Sequence, residues 1–316
     1  MSLLTVSDLQ THFKLPKGVL RAVDGVSFSI AKGETVGLVG ESGCGKSTLG
    51  RSLLRLETPT AGQVALDGED ILPLQGARLR SLRKRMQMIF QDPFASLNPR
   101  HSIGSILETP LQVHGLGDRA QRRRQVERLL DRVGLPRSAL GRYPHEFSGG
   151  QRQRLGIARA LMLQPDLVVC DEPVSALDLS IQAQILNLLV EMKREFGLSY
   201  LFISHDLSVV QYFADRVLVM YLGRIVESAD RRSLWSSPRH PYTQALLDAV
   251  PDPSRHRQAA PLGGDLPSGC RFHPRCPRAT ALCTEQEPLL SDSGNGHLVA
   301  CHHPQLPQTS VISFVH

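Results

Sequence analysis

The stretch Thr35–Thr48, TVGLVGESGCGKST, constrains the fold of this chain more than any other. A short apolar, β-branched run passes into a loop with glycine at positions 40, 43 and 45. The loop ends on Lys46, Ser47 and Thr48, which fits the pattern G-x-x-x-x-G-K-[ST]. Glycine lets the backbone curl so that successive N–H groups face phosphate at the start of a helix. Lys46 supplies a compact positive charge for the β- and γ-phosphates, and the Ser47 hydroxyl can ligate Mg²⁺. We therefore read Gly40, Glu41, Ser42, Gly43, Cys44, Gly45, Lys46, Ser47 and Thr48 as a nucleotide cradle, with Cys44 simply a small side chain inside it. Such a loop works between a strand and a helix, so the chain should be an α/β protein.

The rest of the pattern agrees. Leu167–Cys170 (LVVC) and Tyr200–Ile203 (YLFI) are too apolar for half-wet strands and read as strands of a mainly parallel sheet, buried on both faces. Helical patterns run from Lys46 to about Leu56, over Gln151–Leu163 and over Ile181–Glu195. Leu218–Met220 and Arg224–Glu227 flank a turn at Tyr221–Gly223 and suggest a late hairpin. After about Pro238 the chain turns to Pro, Gly, Ser and His and holds four of its six cysteines. The expected division is a main domain over 1–237 and a small, loop-rich, separately stabilised tail over 238–316.

Composition excludes some classes. The chain contains no run of the roughly 18–20 apolar residues that cross a bilayer. Asp8, Gln10 and His12 interrupt the apolar start, so no signal peptide is expected. Net charge is +6, with basic runs at Arg78–Arg85 and Arg119–Arg132. In the second run Val126, Leu129, Leu130 and Val133 recur at helical spacing, which places the arginines on the wet face of an amphipathic helix.

Leu167–Glu172 (LVVCDE) ends an apolar strand on two acids. After a phosphate loop, Asp171 suits the Mg²⁺ shell and Glu172 suits polarising the water that attacks the γ-phosphate. Ser148–Gln151 stand within FSGGQRQR, and with that segment the chain resembles the nucleotide-binding domain of ABC transporters. The resemblance implies an ABC-type P-loop NTPase with a helical subdomain at about 92–160, and ATP with Mg²⁺ as its ligands. It assigns Gln91 in FQDP to the Q-loop and the Mg²⁺ shell, and Ser148, Gly149, Gly150 and Gln151 to the signature. Ser175–Asp178 (SALD) becomes the D-loop, His205 the switch histidine, and Phe13 in THFK the aromatic that stacks on adenine. Lys46, Glu172 and His205 form the implied catalytic set. Phe147 stands where the common signature has Leu, and an apolar residue there should pack equally well. Two domains are implied to meet head to tail, each ATP lying between Lys46 of one and Ser148–Gly150 of the other, closed by ATP and released by hydrolysis.

Gln91–Arg100 (QDPFASLNPR), the frame SPRHPYTQAL and PVSALDLSIQAQILNLL resemble importers of dipeptides and oligopeptides, in their second, dipeptide-type ATPase subunit. The implied partners are a paralogous ATPase, two transmembrane permeases and an extracytoplasmic peptide-binding protein, with this chain at the cytoplasmic face of the membrane. Nickel and glutathione importers use similar parts and stay open. ABC ATPases of DNA repair or translation would suit the basic charge, but the single uninterrupted cassette argues against them, and no nucleic-acid partner is expected. Cys270, Cys276, Cys283 and Cys301 suit metal ligation better than disulfides in a reducing compartment. Their spacings are not the C-x₂-C knuckles usual for zinc. Four thiolates can hold a [4Fe–4S] cluster, which the resemblance to dipeptide importers favours; Zn²⁺ and free structural thiols remain alternatives.

Overall fold

The computed structural model describes residues 2–16, 18–249 and 266–305. The parts of the expected tail at 250–265 and 306–316 lie outside the described residues. In chain order, β1 (Ser2–Leu15) and β2 (Gly18–Ala31) pair antiparallel, and β3 (Thr35–Val39) leads through the glycine loop into α1 (Lys46–Leu53). Next come β4 (Ala61–Leu66), β5 (Glu69–Asp70), α2 (Gly76–Arg85) and β6 (Met86–Ile89). A helical region follows, with α3 (Pro93–Ser96), α4 (Ile103–Val113), α5 (Arg119–Arg132) and α6 (Gly149–Leu161). The chain then alternates through β7 (Leu167–Asp171), α7 (Leu179–Phe196), β8 (Ser199–Ile203) and α8 (Leu207–Phe213). The hairpin β9 (Arg216–Tyr221) and β10 (Arg224–Asp230) precedes α9 (Arg231–Ser236) and α10 (Pro241–Asp248). The tail adds α11 (Ala281–Glu285), β11 (Ser291–Asp292) and β12 (Leu298–Val299).

Two sheets result. One has the order β2-β1-β4-β5 and the other β11-β12-β10-β9-β3-β8-β7-β6. Strands β9, β3, β8, β7 and β6 run parallel, and β10, β12 and β11 add an antiparallel edge. Every residue of β3, β7 and β8 is buried, as expected for a parallel sheet covered on both faces. On one side α1 touches strands of both sheets, with Leu49 and Leu53 fully buried and Thr11 Oγ1 bonded to Ser52 Oγ at 2.8 Å. Replacing either leucine by alanine would cost about 2–5 kcal/mol through lost transfer and the cavity left behind.

The helices differ from expectation only at their ends. α6 starts at Gly149 because the Ser148 side chain accepts from Gln151 N–H while Gln151 Oε1 accepts from Ser148 N–H, a reciprocal cap. α1 stops at Leu53, and Arg55 turns to a φ of 54°. α5 buries Val126, Leu129 and Leu130 and leaves most of its arginines in water.

The described tail packs onto the main sheet. β12 pairs with β10, extending the sheet edge. Phe272 sits against Tyr221 at 5.3 Å and Tyr242 at 5.4 Å between ring centroids. Glu227 of β10, fully buried, accepts from the backbone N–H groups of Arg239 at 2.7 Å and His240 at 2.9 Å and pairs with His297 Nε2 at 2.6 Å. A buried carboxylate with three such partners ties tail to sheet through charge-assisted hydrogen bonds.

Candidate functional site

The register of the parallel strands gathers the predicted residues at one edge. Leu38 pairs with Ile203, and Ile203 pairs with Asp171. The chain therefore leaves β3, β7 and β8 side by side, carrying Gly40–Thr48, Asp171–Glu172 and His205 to the carboxyl edge of the sheet, where open α/β folds place ligands.

Two loop glycines are demanded by space. A Cβ on Gly40, at φ 152°, would lie 2.2 Å from Met220 O, and one on Gly45, at φ 110°, would lie 2.0 Å from Ala22 O. Ser42 and Gly43 are exposed at the loop tip, whereas Cys44, Gly45 and Lys46 are buried. Lys46 Nζ donates to the carbonyls of Gly40 at 2.7 Å and Glu41 at 2.9 Å, so the ammonium lies inside the curl of the loop. Burial pushes the Cys44 thiol up, so it stays neutral, consistent with a small packing residue.

Ser47 Oγ donates to Asp171 Oδ1 at 2.7 Å. Burial raises the Asp171 carboxyl above its ordinary range, partly opposed by that hydrogen bond. Glu172 Oε2 accepts from Gln91 Nε2 at 3.1 Å and lies 3.1 Å from His205 Nδ1. The hydrogen bond to His205 holds the Glu172 carboxyl low, and the same bond raises the imidazole. Gln91, expected with the Mg²⁺ ligands, lies beside Glu172 and donates its amide to that carboxylate. Glu172 itself adopts a left-handed φ of 46°, a conformation disfavoured for side chains other than glycine. The turn is held by Glu172 N–H donating to Ile203 O at 3.0 Å and by Ser175 Oγ donating to Glu172 O at 3.1 Å.

The signature stands elsewhere. The side chains of Ser148 and Gln151 cap each other, and a Cβ on Gly150 would meet Ile181 Cγ2 of α7 at 2.6 Å. Within one chain this helix N-terminus thus lies beside the segment that follows Ser175–Asp178. Phe13 is half-buried on β1 and pairs with Leu20 of β2, and its neighbour His12 bonds Asp24 Oδ1 at 2.8 Å.

Other residues reach the loop without having been singled out in the sequence. Tyr242, within the SPRHPYTQAL frame, accepts from Glu41 N–H at 2.9 Å. Arg275, inside the cysteine-rich tail, makes a bidentate ion pair with the Glu41 carboxylate. The only local hint was arginine beside cysteine in CRFHPRC, which no periodicity would flag.

Cys270, Cys276, Cys283 and Cys301 line one small cavity with His240, His273, His302 and His303. Backbone N–H groups of Arg278 and His303 donate to Cys276 Sγ and Cys301 Sγ, each at 3.4 Å. Burial pushes the Cys301 thiol to about 11 and raises Cys270 as well. Among the described residues, however, no group of three or more His, Cys, Asp and Glu is arranged to hold a metal ion. The four predicted ligands therefore share one cavity, but their arrangement does not itself assign an iron–sulfur or a zinc centre.

No helix among the described residues is long and apolar enough to cross a membrane. Residues 23–175 match the family described as ABC transporter, and residues 226–283 match the oligopeptide/dipeptide transporter C-terminal region. The chain is 53% identical to the oligopeptide transport ATP-binding protein AppF of Bacillus subtilis, covering 95% of this chain and 97% of that one. It is 49% identical to the dipeptide transport ATP-binding protein DppF of Escherichia coli, covering 95% and 93%. Among solved structures it is similar to the dimeric ATP-binding cassette MJ0796 in a post-hydrolysis state with ADP and Pi. There the TM-score is 0.67 and the identity 28%, over 72% of this chain and 99% of that one. The fold, the converging site and these likenesses agree: the chain belongs to the ATP-binding subunits of the oligopeptide and dipeptide ABC transporters.

Proposed function

We propose that this chain hydrolyses ATP at a head-to-tail dimer interface and so powers import of dipeptides or oligopeptides through two permeases. The observation that carries the reading is the convergence of Lys46, the Ser47–Asp171 contact and the Glu172–His205–Gln91 cluster on one sheet edge. Lys46 is placed to exchange its two loop carbonyls for the β- and γ-phosphates. Ser47 and Asp171 put two oxygens within 2.7 Å of each other, which fits a pair sharing one Mg²⁺ shell, with Gln91 able to join it by rotating off Glu172. Bound Mg²⁺ would neutralise charge on the phosphate oxygens. Glu172, kept ionised, would take a proton from the attacking water, and His205 would orient that carboxylate and the γ-phosphate. Phe13 would stack on adenine. Ser148, Gly149, Gly150 and Gln151 present a helix N-terminus, which suits the γ-phosphate of ATP held by the partner subunit.

The partner would be a paralogous ATPase, as the resemblance to the second, dipeptide-type ATPase subunit implies. A groove lined by Arg51, Arg83, Phe90, Gln91, Ser96 and Arg159 joins residues of the sheet domain and of the helical region. We take it as the permease contact, which would hold the chain at the cytoplasmic face of the membrane and bring it under an extracytoplasmic peptide-binding protein. Pull-down from detergent-solubilised membranes tests this. Recovery of two polytopic permeases and a second ATPase is expected; ribosomes or DNA-repair proteins in their place would overturn the transport reading. The four tail thiols line one cavity, although no metal-holding arrangement is formed among the described residues; a [4Fe–4S] cluster rather than Zn²⁺ as their occupant rests on the resemblance to dipeptide importers alone. Anaerobically purified protein should then absorb near about 400 nm; folded, iron-free, colourless protein would refute it, and bound zinc would identify the alternative.

A further inference from the structure

The tail reaches the phosphate loop through two arginines, each a chain neighbour of a cysteine. Residues 270–276 read CRFHPRC. Arg275, next to Cys276, donates Nη1 to Glu41 Oε2 at 2.9 Å and Nη2 to Glu41 Oε1 at 2.8 Å. Such a fork is geometrically specific as well as strong. Glu41 lies in the middle of the loop's hydrogen bonding: its carbonyl accepts from Lys46 Nζ, and its N–H donates to Tyr242 Oη. Arg271, next to Cys270, is buried and donates to the Asp24 carboxylate and to the Leu222 carbonyl. The adjoining Gly223 N–H donates to Cys44 O at 2.9 Å, and Gly223 O accepts from Asp24 N–H at 2.9 Å. Phe272, between the two arginines, is locked among Tyr221, Tyr242 and His240. One short segment therefore grips the phosphate loop at two points, Glu41 directly and Cys44 through the β9–β10 turn.

Charge gives this grip a purpose. The loop must receive a polyanion, yet it carries a carboxylate of its own at Glu41, only 9% exposed. Unpaired, that carboxylate would oppose the phosphates, and the opposition would be strong where water is scarce. We propose that Arg275 is a positioning residue of the nucleotide site, neutralising Glu41 and fixing the loop, so that the cysteine-rich tail sets the affinity for ATP. The proposal goes beyond the transport reading and holds whatever the four thiols bind.

The test is equilibrium binding of a fluorescent ATP analogue to the assembled transporter, read without cargo, so that a wrong cargo assignment leaves the result intact. Arg275→Ala is expected to weaken binding about tenfold, the equivalent of 1.4 kcal/mol. Arg275→Lys should weaken it less, since it keeps the charge and loses the fork. Glu41→Gln added to Arg275→Ala should restore affinity to within about threefold of wild type, because it removes the charge that Arg275 counters. Arg275→Ala binding as tightly as wild type would overturn the proposal, and so would a double variant as weak as the single one. If Arg275→Ala does not assemble, Arg275→Lys with and without Glu41→Gln makes the same comparison. Weakening by lysine that the glutamine cancels is then expected, and no weakening, or weakening that glutamine leaves in place, overturns it.

Discussion

Glu172→Gln removes a proton acceptor while keeping shape. The carboxylate oxygen involved lies 3.1 Å from both Gln91 Nε2 and His205 Nδ1, and an amide oxygen can occupy the same place. Its left-handed backbone, at φ 46°, is equally available to glutamine, so fold stability should change little. A general base contributes roughly 10²–10⁴ to rate, or about 3–5 kcal/mol of barrier. Hydrolysis should fall by that factor. ATP affinity should stay within about twofold, because the residue meets a proton transferred in the transition state and not the ground-state phosphates. ATP-closed dimers should then accumulate. Single-turnover hydrolysis in the reconstituted transporter, with native mass spectrometry to count dimers, reads both effects. Turnover within about threefold of wild type would remove Glu172 as the base, since nothing else would then need its carboxylate.

Three other outcomes follow from the same geometry. His205→Ala should lose turnover by about 10²-fold or more with ATP binding retained; equal losses of both would assign His205 to ground-state binding, as separate measurements of affinity and turnover would show. Glu172→Gly should abolish hydrolysis while relieving a backbone strain of about 1 kcal/mol, so its melting temperature should hold or rise although activity is lost. For Glu227, burial pushes the carboxyl up, but hydrogen bonds from His297 and from the Arg239 and His240 N–H groups hold it below the usual range. Its stabilisation is therefore present above about pH 4.3 and lost as pH falls through the lowered folded value. Glu227→Gln should flatten that acid limb in denaturation measured against pH, and an unchanged limb would count against the assignment.

Local chemistry made much of this protein legible. Thr35–Thr48 states a strand, a loop and a helix, because only glycine fits where Gly40 and Gly45 approach the carbonyls of Met220 and Ala22. The all-apolar LVVC and YLFI announced strands buried on both faces, and β7 and β8 are buried throughout. Spacing in Arg119–Arg132 identified the wet and dry faces of α5. Helix ends were less legible from apolar periodicity, which started the helix at Gln151, whereas the Ser148-x-x-Gln151 capping pattern starts it at Gly149.

What the sequence determined by itself was the set of short-range constraints: which residues curl, which alternate, and which acids end a strand. Tertiary structure decided the contacts between residues far apart in the chain. The register of Leu38 with Ile203 and of Ile203 with Asp171 brings His205 beside Glu172. The pairing of β12 with β10 joins the tail to the main sheet. Arg275 meets Glu41 across an interval of 234 residues. No periodicity reports such a pair, because it depends on how whole elements stack and not on the spacing of neighbours along the chain.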